Sequence, residues 1–280
     1  MNRHRRLLTL ALGFSLTACY TPTVNPTRTY HPSDADLSIT RIVHASAIID
    51  FRETRILLDP WYSPTPPLGP AETIAVSLEN LPSLRGILIT HKHDDHFDPE
   101  TLRNYPDKSV RVIVPRGLGA ALRTMGYEDV VELGEWERSQ IGSVIVTAVP
   151  ALHRVPENGY VLQANSVTLY VAGDTRFDQT MFERIASFFP TIDAALLPIG
   201  GIRIFFRRLD MSPEQAADAF EILHPGHVIP YHYGLRGPFP FFMSASDPTK
   251  SFTEALVAED EQARDAIVVL ETGQSWHHYR

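Results

Sequence analysis

Cysteine is almost absent from this chain of 280 residues, in which Cys19 is the only one. An intramolecular disulfide is therefore excluded, and a metal site in the body of the chain must use other ligands. Glycine/serine linkers, blocks of one charge and internal repeats are also lacking, whereas 44% of the residues are hydrophobic. We therefore expect one folded domain with a large core.

Positive charge is scarce as well. The chain has 25 basic and 33 acidic side chains and a formal charge of −8. Residues 1–18 contain three of the arginines and no acid, so without them the counts are 22 and 33 and the formal charge is −11. A net-acidic surface without a basic stripe disfavours polyanions, and we expect no nucleic-acid partner.

The N-terminus has the pattern of a secretion signal. Three arginines, at positions 3, 5 and 6, precede the apolar stretch 7–16, and Leu16-Thr17-Ala18-Cys19 closes it. This ending resembles the bacterial lipobox, which implies a signal peptide at 1–18 and lipidation of Cys19. The alternative is an ordinary cleaved signal with an incidental cysteine. The lipoprotein interpretation predicts export and attachment to a membrane through an N-terminal lipid anchor.

The segment after the cysteine separates the anchor from the domain. Residues 19–36 are rich in proline and threonine, which is typical of a flexible tether. Tyr20 stands where inner-membrane retention is associated with aspartate, so resemblance to Gram-negative sorting rules favours the outer membrane. The folded domain should then cover residues 37–280.

Four ligand-type side chains lie within the run Thr90-His91-Lys92-His93-Asp94-Asp95-His96. Alternation in an extended segment places His91 and His93 on one side, and a turn at Asp94 carries Asp95 and His96 toward a second position. A histidine-rich turn can also be an ordinary polar loop. Four such residues in six positions instead favour a metal site, and their two directions indicate half of a two-metal site.

Further candidate ligands follow predicted strands, at the point where each strand ends. The apolar run 86–90 leads into His91, and Asp98 followed by Pro99 has the pattern of a helix start. Three later residues occupy the same kind of place: His153, Asp174 and His232. We therefore count these three among the candidate metal ligands.

The hydrophobic periodicity predicts an α/β protein. Strands are expected at 39–43, 47–51, 56–58, 86–90, 110–114, 143–149, 160–163, 167–171, 194–198, 228–230 and 267–270. Helices are expected at 99–104, 116–125, 179–188, 213–223 and 249–259, with Ser212 as an N-cap.

The HxHxDH motif at 91–96, His153, the Gly-Asp-Thr around Asp174 and His232 occur in the order found in the metallo-β-lactamase-fold hydrolases. The resemblance covers about residues 38–275. It implies an αββα four-layer sandwich, with two mixed sheets face to face and helices outside. It also implies that His91, His93 and His153 hold one metal, that Asp95, His96 and His232 hold the other, and that Asp174 bridges them. These ligands suit Zn²⁺, Mn²⁺ or Fe²⁺, and we expect two Zn²⁺ ions.

Segments outside the ligand set resemble one branch of this family. They are 42–46, 56–60, 197–200 and 211–216, and the branch includes N-acyl-phosphatidylethanolamine phospholipase D and the L-ascorbate-6-phosphate lactonase. Where that phospholipase has a histidine thought to assist catalysis or bind substrate, this chain has Asp210. We therefore count Asp210 as a candidate substrate-binding residue.

The expected reaction is hydrolysis by a hydroxide that bridges the two metals. Asp95 or Asp174 would orient this nucleophile, and His232 would lie near the leaving group. The expected substrate is a small or lipid-like phosphodiester or ester. Loops 200–208 and 238–243 combine aromatic residues with arginines, so Arg203 and Arg207 are candidates for binding an amphiphilic anion, although ordinary loop packing explains the same composition.

Two other functions are compatible with the sequence. The first is a lactonase or β-lactam hydrolase, and the second is a non-catalytic envelope lipoprotein whose metals brace the fold. A ligand set with an open water position favours an enzyme. We interpret His44 as a residue that supports the site and His227 as structural, and neither is counted as a ligand.

Overall fold

The computed structural model describes residues 22–25, 30, 33–238 and 241–280. The predicted signal peptide and Cys19 lie outside the described residues. In chain order the strands are β1 (Leu37–Val43), β2 (Ser46–Phe51), β3 (Thr54–Leu58), β4 (Gly69–Pro70), β5 (Gly86–Leu88), β6 (Arg111–Pro115), β7 (Val130–Leu133), β8 (Arg138–Ile141), β9 (Val144–Pro150), β10 (Asn158–Ala164), β11 (Val167–Val171), β12 (Ala194–Pro198), β13 (Arg203–Ile204), β14 (Arg207–Arg208), β15 (His227–Tyr231), β16 (Leu235–Arg236), β17 (Phe242–Met243) and β18 (Ser275–His278). The α-helices are α1 (Pro99–Asn104), α2 (Gly119–Thr124), α3 (Gln179–Phe188), α4 (Pro213–Leu223) and α5 (Pro248–Glu259).

Two large sheets organise the described chain. The first sheet has the order β18-β1-β2-β3-β5-β6-β7, and the second has the order β15-β12-β11-β10-β9-β8. Both are mixed: β3, β5, β6 and β7 run parallel, as do β11, β12 and β15, while the remaining neighbours are antiparallel. Carboxyl ends of parallel strands meet at one edge of each sheet, and the candidate ligands follow such ends.

The main core lies between the two sheets. Ile49 and Leu88 of the first sheet and Tyr160 and Leu169 of the second belong to one buried cluster. Helices α1 and α2 cover the outer face of the first sheet, and α3, α4 and α5 cover the outer face of the second. The strands therefore bury both faces, which explains their continuous apolar sequences. The predicted αββα sandwich is confirmed.

One predicted strand was wrong. Residues 267–270 form only an isolated bridge, between Ile267 and Val228, and the last strand of the first sheet is β18. The apolar run instead packs against the sheet edge, with Leu270 buried in the core between the sheets. β18 pairs with β1 through backbone groups, so a polar sequence suffices for an edge position.

The described residues of the predicted tether lie against the domain. Val24 forms a parallel bridge with Ile74, and the Tyr30 hydroxyl donates to Asp50 at 2.8 Å beneath the guanidinium of Arg55. Burial together with the Asp50 carboxylate raises the pKa of Tyr30 to about 12. Among the described residues, no helix has the length and apolar character needed to cross a bilayer.

Candidate metal centre

The run 91–96 connects a core strand to a helix. β5 ends at Leu88, and the backbone of His91 then forms a bridge with Glu157, which directly precedes β10 of the second sheet. The amides of His96 and Phe97 both donate to the carbonyl of His93, which closes the turn. Asp98 caps α1 by accepting from the amides of residues 100 and 101. The predicted order of strand, ligand loop and capped helix is confirmed.

One group of ligand atoms gathers around His93. Its Nδ1 lies 2.9 Å from Nε2 of His91 and 3.1 Å from Nε2 of His153. Oδ2 of Asp174 lies 3.7 Å from Nε2 of His91. One ligand atom from each of these four residues lies within 4.8 Å of the others. The loop after β5 and the ends of β9 and β11 thus converge on one position.

A second group lies beside the first. Nε2 of His96 and Nε2 of His232 lie 3.8 and 3.7 Å from Oδ2 of Asp95. Asp174 reaches this group too, because its Oδ1 lies 3.1 Å from His96 Nε2 and its Oδ2 lies 2.9 Å from His232 Nε2. The seven sequence-predicted ligands therefore come together, with Asp174 between the two groups. This position is the one that a bridging carboxylate requires.

The hydrogen bonding of the second group fits a cation. Both ring nitrogens of His96 face a carboxylate, Asp59 at Nδ1 and Asp174 at Nε2. A neutral imidazole has only one N–H, so it can donate to only one of these carboxylates. Among the described residues, the buried atoms His96 Nε2, His232 Nε2 and Asp174 Oδ1 form no hydrogen bond of acceptable geometry, although they lie close to one another. Leaving such atoms unsatisfied costs about 1–3 kcal/mol each, and a divalent cation would satisfy all three. Imidazole and carboxylate ligands without thiolate suit Zn²⁺, Mn²⁺ or Fe²⁺.

Buried carboxylates orient three of the imidazoles from behind. Asp59 lies 2.8 Å from Nδ1 of His96, Glu157 lies 3.1 Å from Nδ1 of His91, and Asp210 lies 2.9 Å from Nδ1 of His232. Such partners hold the Nδ1–H tautomer and direct Nε2 toward a metal.

Glycine is required beside one of these carboxylates. Gly173 has a φ of +71°, and a Cβ there would lie 2.5 Å from Oε1 of Glu157. The amide of Asp174 donates to the same oxygen at 2.6 Å.

The pKa shifts follow from these contacts and differ between the two groups. Burial lowers the pKa values of His96 and His232, but Asp174 beside them raises both well above 6.5. The first group shifts in the opposite direction. Burial lowers the pKa of His153 to about 4 and moves the pKa of His91 well below its usual range, so both imidazoles are neutral, as metal ligands must be. Burial alone would raise the pKa of Asp174, but His232 and His96 beside it bring that pKa well below the usual value. The carboxylate at the centre is therefore ionised.

A cavity of about 320 Å³ opens onto the two groups. Four of the candidate ligands line it: His93, Asp95, Asp174 and His232. Its remaining wall is mainly apolar and includes Trp61, Leu68, Ile202, Ile204, Leu209, Leu235 and Phe242, while Lys92 and Asp94 add two charges. The cavity can therefore hold a molecule with one polar and one apolar part.

Comparison with known proteins identifies the family. Residues 54–233 match the family model described as "Beta-lactamase superfamily domain". A UPF0173 metal-dependent hydrolase from Pyrococcus furiosus is 30% identical over 248 residues, which cover 85% of this chain and 98% of that relative. The chain belongs to the UPF0173 metal-dependent hydrolases of the metallo-β-lactamase superfamily.

Solved structures share the fold of this hydrolase. Igni18, a metallo hydrolase from Ignicoccus hospitalis, matches with a TM-score of 0.67 at 21% identity over 86% of the hydrolase and 97% of Igni18. CmlA, a diiron β-hydroxylase from Streptomyces venezuelae, matches with a TM-score of 0.69 at 24% identity over 88% of the hydrolase. The hydrolase spans 55% of the CmlA chain. These similarities concern the fold.

The three predicted substrate residues do not line the cavity of the hydrolase. Arg203 and Arg207 are exposed on β13 and β14. Asp210 is fully buried, where its Oδ1 accepts from the amide of Ile202 and its Oδ2 faces His232. Burial raises the pKa of Asp210 to about 6, although His232 opposes this shift. Asp210 is therefore placed to orient His232.

His44 lies closer to the metal ligands of the hydrolase than the sequence indicated. Its Nε2 lies 3.2 Å from Oδ2 of Asp95, its Nδ1 lies 3.2 Å from the carbonyl oxygen of Tyr233, and its ring centroid lies 4.1 Å from that of His232 at an interplanar angle of 45°. With Nδ1–H donating to the Tyr233 carbonyl, the unprotonated Nε2 can serve as a further ligand atom of the second group. The sequence did not indicate that His44 could be a ligand. It also did not reveal the supporting carboxylates of Asp59 and Glu157.

Proposed function

We propose that this hydrolase cleaves phosphodiester or phospholipid-like esters, as the resemblance to N-acyl-phosphatidylethanolamine phospholipase D implies. One observation carries the proposal: the cavity is lined both by four candidate metal ligands and by a mainly apolar wall. A polar ester group next to the ligands and an acyl chain along Ile204, Leu235 and Phe242 would match this division. Lys92 at the same cavity would attract an anionic group.

Two divalent cations, which we propose to be Zn²⁺, would supply an activated water and polarise the scissile bond. Asp95 and Asp174 both reach the cavity, so their carboxylates can orient that water and accept its proton. His44 holds Asp95 in place, and Asp210 does the same for His232. His232 also reaches the cavity, and we assign it to the side of the leaving group.

The reaction is tested with the metal-loaded full chain on bis-p-nitrophenyl phosphate, a lactone and nitrocefin. We expect turnover of the phosphodiester. Hydrolysis of only the lactone or only nitrocefin would overturn the proposal and assign a different bond. Phosphodiester hydrolysis that persists unchanged after chelation would overturn the metal-dependent mechanism.

The apolar wall is tested with phospholipids of increasing acyl length, below their micellar concentration. Each methylene that enters the cavity should lower KM roughly fourfold, because its burial contributes about 0.8 kcal/mol. Leu235→Ser, which adds no charge, should weaken this dependence and leave KM for bis-p-nitrophenyl phosphate nearly unchanged. A KM that does not depend on chain length would contradict a lipid-like substrate.

We also propose that the hydrolase is exported and held at a membrane, the outer membrane in a Gram-negative cell, through a lipid on Cys19. The sequence 16–19 supports this proposal. Metabolic labelling with an alkyne fatty acid should label the wild type and not Cys19→Ser, and the variant should leave the membrane fraction. Labelling of both proteins would reject Cys19 as the lipidated residue.

A further inference from the structure

Three phenylalanines project from a small sheet beside the cavity. β13 and β14 form a hairpin in which Ile204 pairs with Arg207, so Phe205 and Phe206 form the two-residue turn. Phe241 lies next to this turn, since its carbonyl accepts from the amide of Phe205 and the two rings are 5.2 Å apart. We call Phe205, Phe206 and Phe241 the aromatic tip.

The aromatic tip is exposed although it consists of large apolar side chains. The exposed fractions are 63% for Phe205, 79% for Phe206 and 53% for Phe241. Phe205 and Phe206 also have φ values of 48° and 66°, the left-handed conformation that hairpin turns normally assign to asparagine or glycine. Phe205 and Phe206 therefore combine a strained backbone with solvent exposure, and packing against the rest of the described chain stabilises their rings little. This combination indicates a surface that contacts something else.

The aromatic tip adjoins two residues of the cavity wall. Ile204 precedes it on β13, Phe242 follows it on β17, and these two residues pair with each other. Both of them line the cavity. Apolar surface therefore continues from the cavity wall to the aromatic tip.

Positive charge flanks the aromatic tip. Arg203 and Arg207 are exposed on the two strands of the hairpin, and Arg208 is partly buried beside them. Among the described residues, no carboxylate lies within 4 Å of the guanidinium of Arg203 or Arg207. This local charge contrasts with the formal charge of −8 for the whole chain. An anionic surface would complement it.

We propose that the aromatic tip inserts into the interface of an anionic lipid bilayer and brings the cavity to the membrane surface. Aromatic rings favour the headgroup level of bilayers, and neighbouring arginines favour anionic lipids. A second copy of the chain fits less well, because a symmetric contact would bring the same guanidinium groups together. The inference does not depend on which bond the hydrolase cleaves.

The test places a tryptophan in the aromatic tip of the full chain. Phe206→Trp is compared with the control Tyr279→Trp. Tyr279 is also an exposed aromatic residue, with an exposed fraction of 63%, but it follows β18, which pairs with β1 and is not part of the small sheet. The emission of the unsubstituted chain is subtracted from that of each variant to remove the contribution of the native tryptophans. With vesicles of phosphatidylglycerol and phosphatidylcholine carrying brominated acyl chains, we expect a blue shift and quenching for Phe206→Trp and little change for Tyr279→Trp. Since both variants have the same N-terminus, any anchor acts equally on both.

Charge and activity give two further readouts. Arg203→Gln with Arg207→Gln should reduce the quenching, as should added salt or vesicles of phosphatidylcholine alone. Replacing the three phenylalanines with serine should lower turnover of a phospholipid in vesicles roughly tenfold. It should leave turnover of the soluble substrate bis-p-nitrophenyl phosphate unaffected.

Equal quenching at positions 206 and 279 would overturn the proposal. So would a dimer, seen by sedimentation, that Phe206→Ser dissociates while vesicles leave Phe206→Trp unquenched. Neither the quenching nor the sedimentation measurement requires hydrolysis, so failure of the proposed function would be seen separately.

Discussion

Nδ1 of His232 lies 2.9 Å from Oδ2 of Asp210, and both side chains are buried. The same carboxylate accepts from the amide of Ile202. A candidate substrate residue therefore belongs to the support of a metal ligand, and its replacement should affect metal binding before it affects substrate choice.

Asp210→Ala should weaken metal binding about 10–100-fold, the usual effect of removing the group that orients a ligating histidine. It should also destabilise the protein by about 1–3 kcal/mol, because the Ile202 amide loses its acceptor. Asp210→Asn retains one oxygen and should have the smaller effect. Chelator competition measures the metal affinity, and urea unfolding measures the free energy of unfolding. Arg207→Gln is the exposed control, and wild-type metal affinity in Asp210→Ala would contradict the assigned role.

Replacement of one ligand from each group should remove both metals. We expect His93→Ala combined with Asp95→Ala to abolish metal content in elemental analysis and turnover of bis-p-nitrophenyl phosphate. Asp94→Asn is the matched control for metal content, because it is exposed within the same run. Full activity of the metal-free double variant would reject the two-metal mechanism.

Gly173→Ala should cost more stability than Gly117→Ala. Both glycines have positive φ, so alanine introduces backbone strain of about 1–2 kcal/mol at either position. Only at Gly173 would the new Cβ collide with Glu157, whereas nothing lies within 4 Å of a Cβ at Gly117. Gly173→Ala should therefore also lower metal affinity. Equal effects of the two substitutions on unfolding and on metal binding would show that the Glu157 contact is unimportant.

Acid should remove the contribution of His44 to the stability of the metal-free protein. Burial lowers the pKa of His44 from 6.5 to about 4. Between these values the unfolded chain binds the proton and the folded protein does not, so the contribution is complete above pH 6.5 and is lost as the pH falls toward 4. The full effect is about 3 kcal/mol, at about 1.4 kcal/mol per pKa unit.

The pKa values of His96 and His232 are raised, so these residues change the stability with pH in the opposite direction to His44. The contribution of His44 is therefore measured as the difference in free energy of unfolding between the wild type and His44→Asn. Urea unfolding of the chelated proteins at pH 7, 6 and 5 should show the free energy of unfolding of the wild type falling relative to that of His44→Asn as the pH decreases. His277→Asn serves as the control away from the site. Parallel curves for wild type and His44→Asn would refute the prediction.

The convergence of the candidate metal ligands could be predicted because their sequence signals are local. His91 to His96 stand in one short run, and His153, Asp174 and His232 each follow an apolar strand. The packing of buried strands is also visible in sequence, since it requires continuous apolar residues. These features were sufficient for the αββα sandwich and for bringing the seven ligands together.

The supporting residues could not be predicted in the same way. Asp59 and Glu157 are two of 33 acidic residues, and their role depends on contacts with His96 and His91 that lie 37 and 66 positions away in sequence. Asp59 does follow an apolar strand, as the ligands do, which is a usable signal. Glu157 lies in a loop without any such pattern. The strand β18 was missed because it pairs at a sheet edge with few apolar residues.

The bridge between His91 and Glu157 joins the two sheets at the metal centre. His44 and the run 91–96 come from the half of the chain that precedes β8, whereas His153, Asp174 and His232 come from the half that follows it. Cleavage of the backbone between β7 and β8 would consequently leave each fragment with an incomplete coordination shell. Fragment complementation would then be coupled to cation uptake, and a chelator would favour separation of the fragments.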